Sequence, residues 1–248
     1  MYMTFLLVNS KWQDTEAVLS FLDDLIKTLS PQGKLQLTAE LKDRATNRAS
    51  RLSGDFYSLR NKLGKHLVDS ISIGSMEWRP DHGAEFYLFF EGARKILAST
   101  KKILTFSIGE KTWKLAAKEG RHDQILSLVE QFFETTDSFY GFGHKRENII
   151  SGPFDVLNPV PNAPVRRIID REWDTITDIY EYNYLTSTLV NKIKDPDSLC
   201  SIDGVMCKTL VDSANEKRGL AIYLQADEPS ALSSIAAKCL GLIDSADA

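Results

Sequence analysis

Val18, Phe21, Leu22, Leu25, Ile26 and Leu29 recur at i, i+3, i+4, i+7, i+8 and i+11, and that spacing constrains this chain more than any other feature. It puts six apolar side chains on one stripe of a helix, opened by Asp14 and stopped by "SPQG". The spacing returns at Ile125, Leu128, Val129, Phe132 and Phe133, and again at Leu232, Ile235, Ala236, Cys239 and Leu240 after Pro229. Three one-sided helices need a sheet or other helices to cover. Strands rich in aromatic and β-branched residues supply candidates: "TFLLV" at the start, "AEFYLFF" from Ala84 and "KILTFSI" from Lys102. Near the end, "GVMCKTLV" and the alternating run Leu220 to Gln225 flank the polar turn "DSANEKRG", which predicts a hairpin before the closing helix.

Strand and helix signals alternate without a regular βα rhythm, so the expected fold is α+β, a mixed or antiparallel sheet covered by amphipathic helices. The segment "SGPFDVLNPVPNAP", with four prolines, marks the expected division into an N-terminal half, 1–150, and a C-terminal half, 151–248, packed against it or continuous with it. Two related halves would satisfy this pattern, although no residue-level repeat establishes them. Between Lys34 and Lys65 the stripe Leu41, Ala45, Ala49, Leu52, Phe56, Leu59 and Leu63, interrupted by Gly54, predicts one or two helices. Its surplus of basic residues reads as a solvated face.

With 248 residues, 43% hydrophobic, the chain can build a sizeable core, and a net charge of −4 argues against a general nucleic-acid binder. No window reaches the length of a membrane span, and the N-terminal apolar run lacks a basic flank and a cleavage site. The three cysteines, Cys200, Cys207 and Cys239, form no C-x-x-C, so reduced, buried thiols in the cytoplasm are expected.

Signatures of catalysis are sparse. His66, His82, His122 and His144 stand singly, with no metal-ligand spacing, and neither G-x-S-x-G nor a phosphate loop occurs. No cofactor and no metal are expected. The stretch "FYGFGHKREN" at 139–148 follows a helix, so its glycines are expected to take up the left-handed backbone of a helix end. Phe139, Tyr140 and Phe142 then form an apolar plug, leaving His144, Lys145 and Arg146 on the outer side of the turn. The acidic run from Ile168 to Ile193 carries Asp170, Glu172, Asp174, Asp178 and Glu181 around Trp173, Tyr180, Tyr182 and Tyr184. Three readings stay open for it: buried acid/base chemistry, a surface for a basic partner, or a strand running into a short helix capped at Thr186 or Ser187.

The "Y-G-F-G" run after an amphipathic helix, the Pro-rich connection, Trp173, "DIYEYNYLTSTLVNKI", a hairpin and a closing helix together resemble the α/β immunity proteins of bacterial toxin-immunity systems. The likeness is to the immunity protein 52 class and related type VI secretion immunity proteins. Asn183, Tyr184, Leu185, Thr186, Leu189 and Val190 match that group's N-Y-L-[ST]-x-x-[LV]-V, and the likeness covers about the C-terminal half. It implies a protein of bacterial competition that binds a cognate toxin, occludes its active site and catalyses nothing itself. With no export signal, the toxin would be met in the cytoplasm. The expected contacts are Asp170, Glu172, Trp173, Asp174 and Tyr180, with His144, Lys145 and Arg146. The alternative is a small hydrolase or transferase built on convergent Asp, Glu and His; a homo-oligomeric adaptor is the third option.

Overall fold

The computed structural model describes residues 1–9, 15–30, 36–43, 48–63, 68–75, 86–91, 102–136, 138, 140–146, 180–191, 193, 196–211, 214 and 216–225. Ten strands run through them: β1 (Tyr2–Asn9), β2 (Gln36–Asp43), β3 (Ala49–Asp55), β4 (Val68–Ser75), β5 (Phe86–Glu91), β6 (Lys102–Gly109), β7 (Tyr140–Arg146), β8 (Tyr182–Thr186), β9 (Val205–Val211) and β10 (Lys217–Leu224). The helices are α1 (Thr15–Leu29), α2 (Phe56–Leu63), α3 (Glu110–Lys118), α4 (His122–Thr135), α5 (Ser187–Val190) and α6 (Pro196–Cys200).

All ten strands join one sheet in the order β3-β2-β4-β5-β6-β1-β7-β8-β10-β9, every pairing antiparallel. The expected α+β class is therefore what the chain adopts. Position 150 lies between β7 and β8, which are hydrogen-bonded neighbours, so the sheet runs through both halves.

Helices α1 and α4 form as their periodicity predicts, and each lays its apolar stripe on one face of the sheet. Phe5 of β1 stacks on Phe106 of β6 at 4.8 Å, and Phe106 meets Phe21 of α1, which in turn meets Phe132 of α4 at 4.6 Å. Arg121, just ahead of α4, donates to the free carbonyls of Thr28 and Leu29 at the end of α1 and fixes how the two helices meet. The opposite face of the central strands is buried as well: Tyr2, Thr4 and Leu6 of β1, with Thr105 and Ser107 of β6. There the Thr4 and Ser107 hydroxyls bond at 2.9 Å and satisfy each other.

Between Lys34 and Lys65 the expected helices are mostly strand. Residues 36–43 and 49–55 pair as β2 and β3, and only Phe56–Leu63 is helical. Leu37 and Ala39 point inward and Glu40 outward, the period of two of a half-buried strand. Asp55 stops the strand and caps α2, accepting bonds from the backbone N–H and hydroxyl of Ser58.

A second correction concerns residues 139–146. The chain leaves α4 as a strand, β7, not as a turn, and Gly141 and Gly143 have none of the left-handed backbone expected of them. The glycine that ends a helix that way is Gly120, at φ +70°, between α3 and α4. Gly141 and Gly143 instead supply room. A Cβ at Gly141 would stand 2.4 Å from Leu7 Cδ2, and one at Gly143 2.6 Å from Phe5 Cε1.

The third correction concerns cysteine. Cys200, at the end of α6, and Cys207, in β9, are joined as a disulfide, because the turn at 201–204 brings two residues seven apart in sequence to a Cα separation of 5.5 Å. Cys239 and the closing helix expected around it lie outside the described residues. Such bridges persist in oxidising compartments.

Two stability experiments check this packing. Gly219→Ala should cost the most, since its Cβ would meet the Leu185 carbonyl oxygen at 2.0 Å and backbone cannot swing aside. Gly143→Ala, against an aromatic ring, and Gly141→Ala, against a leucine methyl, should each cost about 1–3 kcal/mol in urea titrations. Reducing the Cys200–Cys207 bridge, or replacing both cysteines by serine, should cost about 2–3 kcal/mol for so short a loop. A bridged peptide in a non-reducing digest should identify the linkage.

Candidate functional site

Strands β7 and β8 carry the sequence-derived site where it is described. In β7 the residues on the face opposite α1 and α4 are Tyr140, Phe142 and His144, because Phe142 lies opposite Leu6 and His144 opposite Thr4 in β1, while the glycines share a face with Phe5 and Leu7. Continuing the β7·β8 register one step past Gly143 and Tyr182 brings His144 across from Glu181. Their side chains bond, Nδ1 to Oε2, at 2.8 Å. The backbone N–H of Lys145 reaches the other carboxylate oxygen at 3.4 Å.

Burial pushes the Glu181 carboxyl upward, and the His144 hydrogen bond and charge, with the backbone donors, outweigh it and hold the group below its ordinary value. Glu181 is 11% exposed and His144 34%, so the carboxylate is the inner, fixed member and the imidazole the outer one. With Nδ1 engaged by Glu181, Nε2 is the nitrogen left for a partner or a proton.

Tyr180 sits beneath this pair. It is 5% exposed, stacks on Phe142 at 4.3 Å and touches the His144 ring at 5.4 Å, so its ring supports the histidine and offers little surface of its own. Asn183 holds the bend. Its Oδ1 accepts from the Tyr180 N–H at 2.9 Å, and its Nδ2 donates to the carbonyls of Tyr180 at 2.7 Å and Ile222 at 3.3 Å. Wholly buried and bonded at both ends of its amide, Asn183 is a structural lock. Of the other expected contacts, Lys145 is exposed and Arg146 lies opposite Tyr2 in the register. Asp170, Glu172, Trp173 and Asp174 lie outside the described residues.

The strand-then-helix reading of the acidic run holds over its described end, where β8 passes into α5 with Thr186 at the cap position. Sequence reasoning missed the pairing of Glu181 with His144, for which the only signal was the even spacing of His144 from Phe142 along one strand. It also missed the polar groups on the helix-covered face. There Glu130 of α4, almost fully buried, accepts from the Tyr223 hydroxyl and pairs with Lys208. Nearer the start of α4, the Tyr182 hydroxyl meets His122 Nε2 at 3.2 Å, and Trp113 lies edge-on to the same imidazole. Burial pushes the His122 pKa down, only partly offset by Asp123, which favours the neutral ring as acceptor. Among the described residues no three of His, Cys, Asp and Glu gather as a metal-binding group, and no helix is long and apolar enough to cross a membrane.

Against known proteins, no family model and no curated protein matches the chain. Among solved structures it is similar to the Pseudomonas aeruginosa T6SS protein PA0821, with a TM-score of 0.64 at 14% identity. That likeness covers 98% of this chain and 76% of the other, and at this identity it shows a shared fold.

The Glu181 pKa predicts a pH dependence with a definite sign. A carboxyl held lower in the folded state than in the unfolded one stabilises the fold above the ordinary carboxylate range near 4.5. That contribution is lost as pH falls through the depressed folded value. Glu181→Gln should therefore be less stable than wild type at neutral pH, with the gap closing in acid. A constant gap in denaturation midpoints from pH 7 down to about 3 would refute the ion-pair account.

Proposed function

We propose that this chain is an immunity protein of a type VI secretion setting, which binds a cognate toxin and blocks it without catalysis of its own. The observation that carries the reading is the fold likeness to a T6SS protein, which runs over 98% of this chain. The N-Y-L-T run that carries the resemblance to immunity proteins supports it in a specific way. Asn183, Tyr184 and Leu185 are fully buried, so the run is scaffold, and the toxin-facing residues must be sought at exposed positions around it. The half-exposed His144 and the exposed Lys145, which as neighbours in β7 point to opposite sides of the sheet, are such positions, and Arg146 and the acidic-aromatic run from Asp170 are the other proposed contacts.

The disulfide bears on where binding takes place. Cys200–Cys207 fits an oxidising compartment and counts against the cytoplasmic expectation, so the toxin would be met outside the cytoplasm. Fractionation of the native cell measures this directly.

The His144–Glu181 pair is the one observation that favours the small-enzyme reading, in which it would serve as an acid/base dyad. The two readings differ in what Glu181→Gln does: it would abolish turnover in an enzyme, and would leave neutralisation by a binder largely intact.

The test is purification of the tagged chain from its native lysate at moderate salt. We expect one near-stoichiometric companion that is toxic when expressed alone and harmless when co-expressed with this chain. Reversal of charge at Lys145 should weaken the complex about threefold to tenfold, mostly through a slower on-rate. A companion that is not toxic, or toxicity that co-expression fails to relieve, would sink the immunity reading.

A further inference from the structure

Strand β9 is the last of its sheet, with β10 on one side and, among the described residues, no strand on the other. Which of its main-chain groups face outward follows from the bonds of β10. The Leu224 N–H donates to the Glu181 carbonyl at 2.9 Å, and the Ile222 carbonyl accepts from Asn183, so both residues face the β8 side. Orientation alternates along an antiparallel strand, so Tyr223 and Ala221 face β9 and bond the residues opposite them, Met206 and Lys208. Cys207 and Thr209 therefore turn their N–H and C=O groups away from the sheet. Val211 continues the alternation, since its N–H leaves the ladder for the Glu134 carboxylate at 3.1 Å. Among the described residues nothing bonds the outward main chain of Cys207 or Thr209.

The side chains leave this edge unguarded. Free edges are commonly shielded by exposed charge, and β3, at the other end of the sheet, follows that pattern with the exposed Arg51. The charged residue of β9 is Lys208 alone, and its ammonium is drawn to Glu130 of α4. What the strand shows instead is Met206 and Val211, two of the five large apolar side chains exposed among the described residues, with the exposed Thr209 between them. The Cys200–Cys207 bridge pins the strand at the start of the free stretch, so little order has to be imposed when something pairs with it.

We propose that the β9 edge is the docking site for an extended strand of the protein partner, which adds to the sheet through the main chain of Cys207 and Thr209. The unpaired groups select the occupant. Donors and acceptors alternating along a strand are matched by another extended backbone, whereas a helix has spent its own, and nucleic acid or a lipid surface offers no such series. An edge without free charge suits an uncharged strand of β-branched residues, whose side chains lie against Met206 on one face and Val211 on the other. A second copy of this chain fits less well. Antiparallel self-pairing about the free stretch sets Lys208 opposite Lys208, with like charges face to face. The inference rests on the immunity reading for the identity of the partner, and deepens it by naming a β-strand as the toxin's contribution.

The probe is the peptide acetyl-Thr-Val-Thr-Val-Thr-amide, titrated into the isotopically labelled full chain with its disulfide intact. We expect amide shifts centred on residues 205–211 and a Kd on the order of 1–10 mM. Hydrogen exchange at Cys207 and Thr209, fast in the free chain, should slow as the peptide binds. The same peptide methylated on its three central nitrogens keeps its side chains and loses its donors, so it should bind about tenfold more weakly or worse. Thr209→Pro removes an N–H that the ladder does not use, so it should keep the wild-type Tm and lose the peptide. The methylated peptide carries the same test should that variant fold poorly. Protected Cys207 and Thr209 amides in the free, dilute chain, equal binding of the two peptides, shifts elsewhere, or none by about 20 mM would overturn the proposal. Protection that grows with protein concentration alone would also overturn it, in favour of a second copy. A toxin captured and neutralised equally well by Thr209→Pro would overturn the edge while leaving the immunity reading intact. Peptide pairing without any toxic companion would do the reverse.

Discussion

Strand β1 is the element on which the rest depends. Its eight residues pair along their whole length with β6 on one side and along nearly all of it with β7 on the other, so stretches about a hundred and about a hundred and forty residues away in the chain close on the first few residues. Both faces of the strand are buried: Met3, Phe5 and Leu7 under the helices, Tyr2, Thr4 and Leu6 on the reverse. A strand with no exposed face cannot slip its register without moving apolar groups onto positions shaped for others. The glycines of β7 show how tightly that register is fitted. Gly141 and Gly143 lie opposite Leu7 and Phe5 on one side and opposite Tyr184 and Tyr182 on the other, so large side chains on β1 and β8 meet over a strand that contributes none.

Several polar groups inside this structure are held by partners from other elements of the fold. Glu130 from α4 meets Tyr223 and Lys208, Tyr182 meets His122, Thr4 meets Ser107, and Asn183 spans Tyr180 and Ile222. A buried carboxylate or amide left without its partner costs several times what the bond contributes when made, so these contacts specify one arrangement more than they add stability. His144 and Glu181 differ in that the imidazole reaches the surface. That combination of a fixed inner carboxylate and an accessible ring is what makes this end of β7 a place to look for recognition.

The parts of the fold legible in the sequence were those whose signal is local. Helices α1 and α4 follow from an apolar stripe with a period of 3.6, strands β1, β5 and β6 from β-branched and aromatic runs, and the β9–β10 hairpin from two such runs about a polar turn. Between Lys34 and Lys65 the stripe from Leu41 to Leu63 gave helices, and the protein made a hairpin followed by one short helix. Their place just after a helix made Gly141 and Gly143 read as a turn; they lie in a strand, where Leu7 and Phe5 of β1 and Tyr184 and Tyr182 of β8 fill the space above them.

What the sequence by itself determined, then, is the class: one-sided helices on the sheet of an α+β protein, with an Asn-Tyr-Leu-Thr strand leading into a short helix. What only the tertiary structure decided is every meeting of residues far apart in the chain. The pairing of β1 with β6 and β7, the Cys200–Cys207 bridge, the bond between His144 and Glu181, and the contact of Phe21 with Phe132 depend on which elements become neighbours. Local propensity is summed over a few residues and carries no information about such encounters. They are set when the whole sheet closes and each side chain must find room, or a partner, among groups that the sequence places tens of residues away.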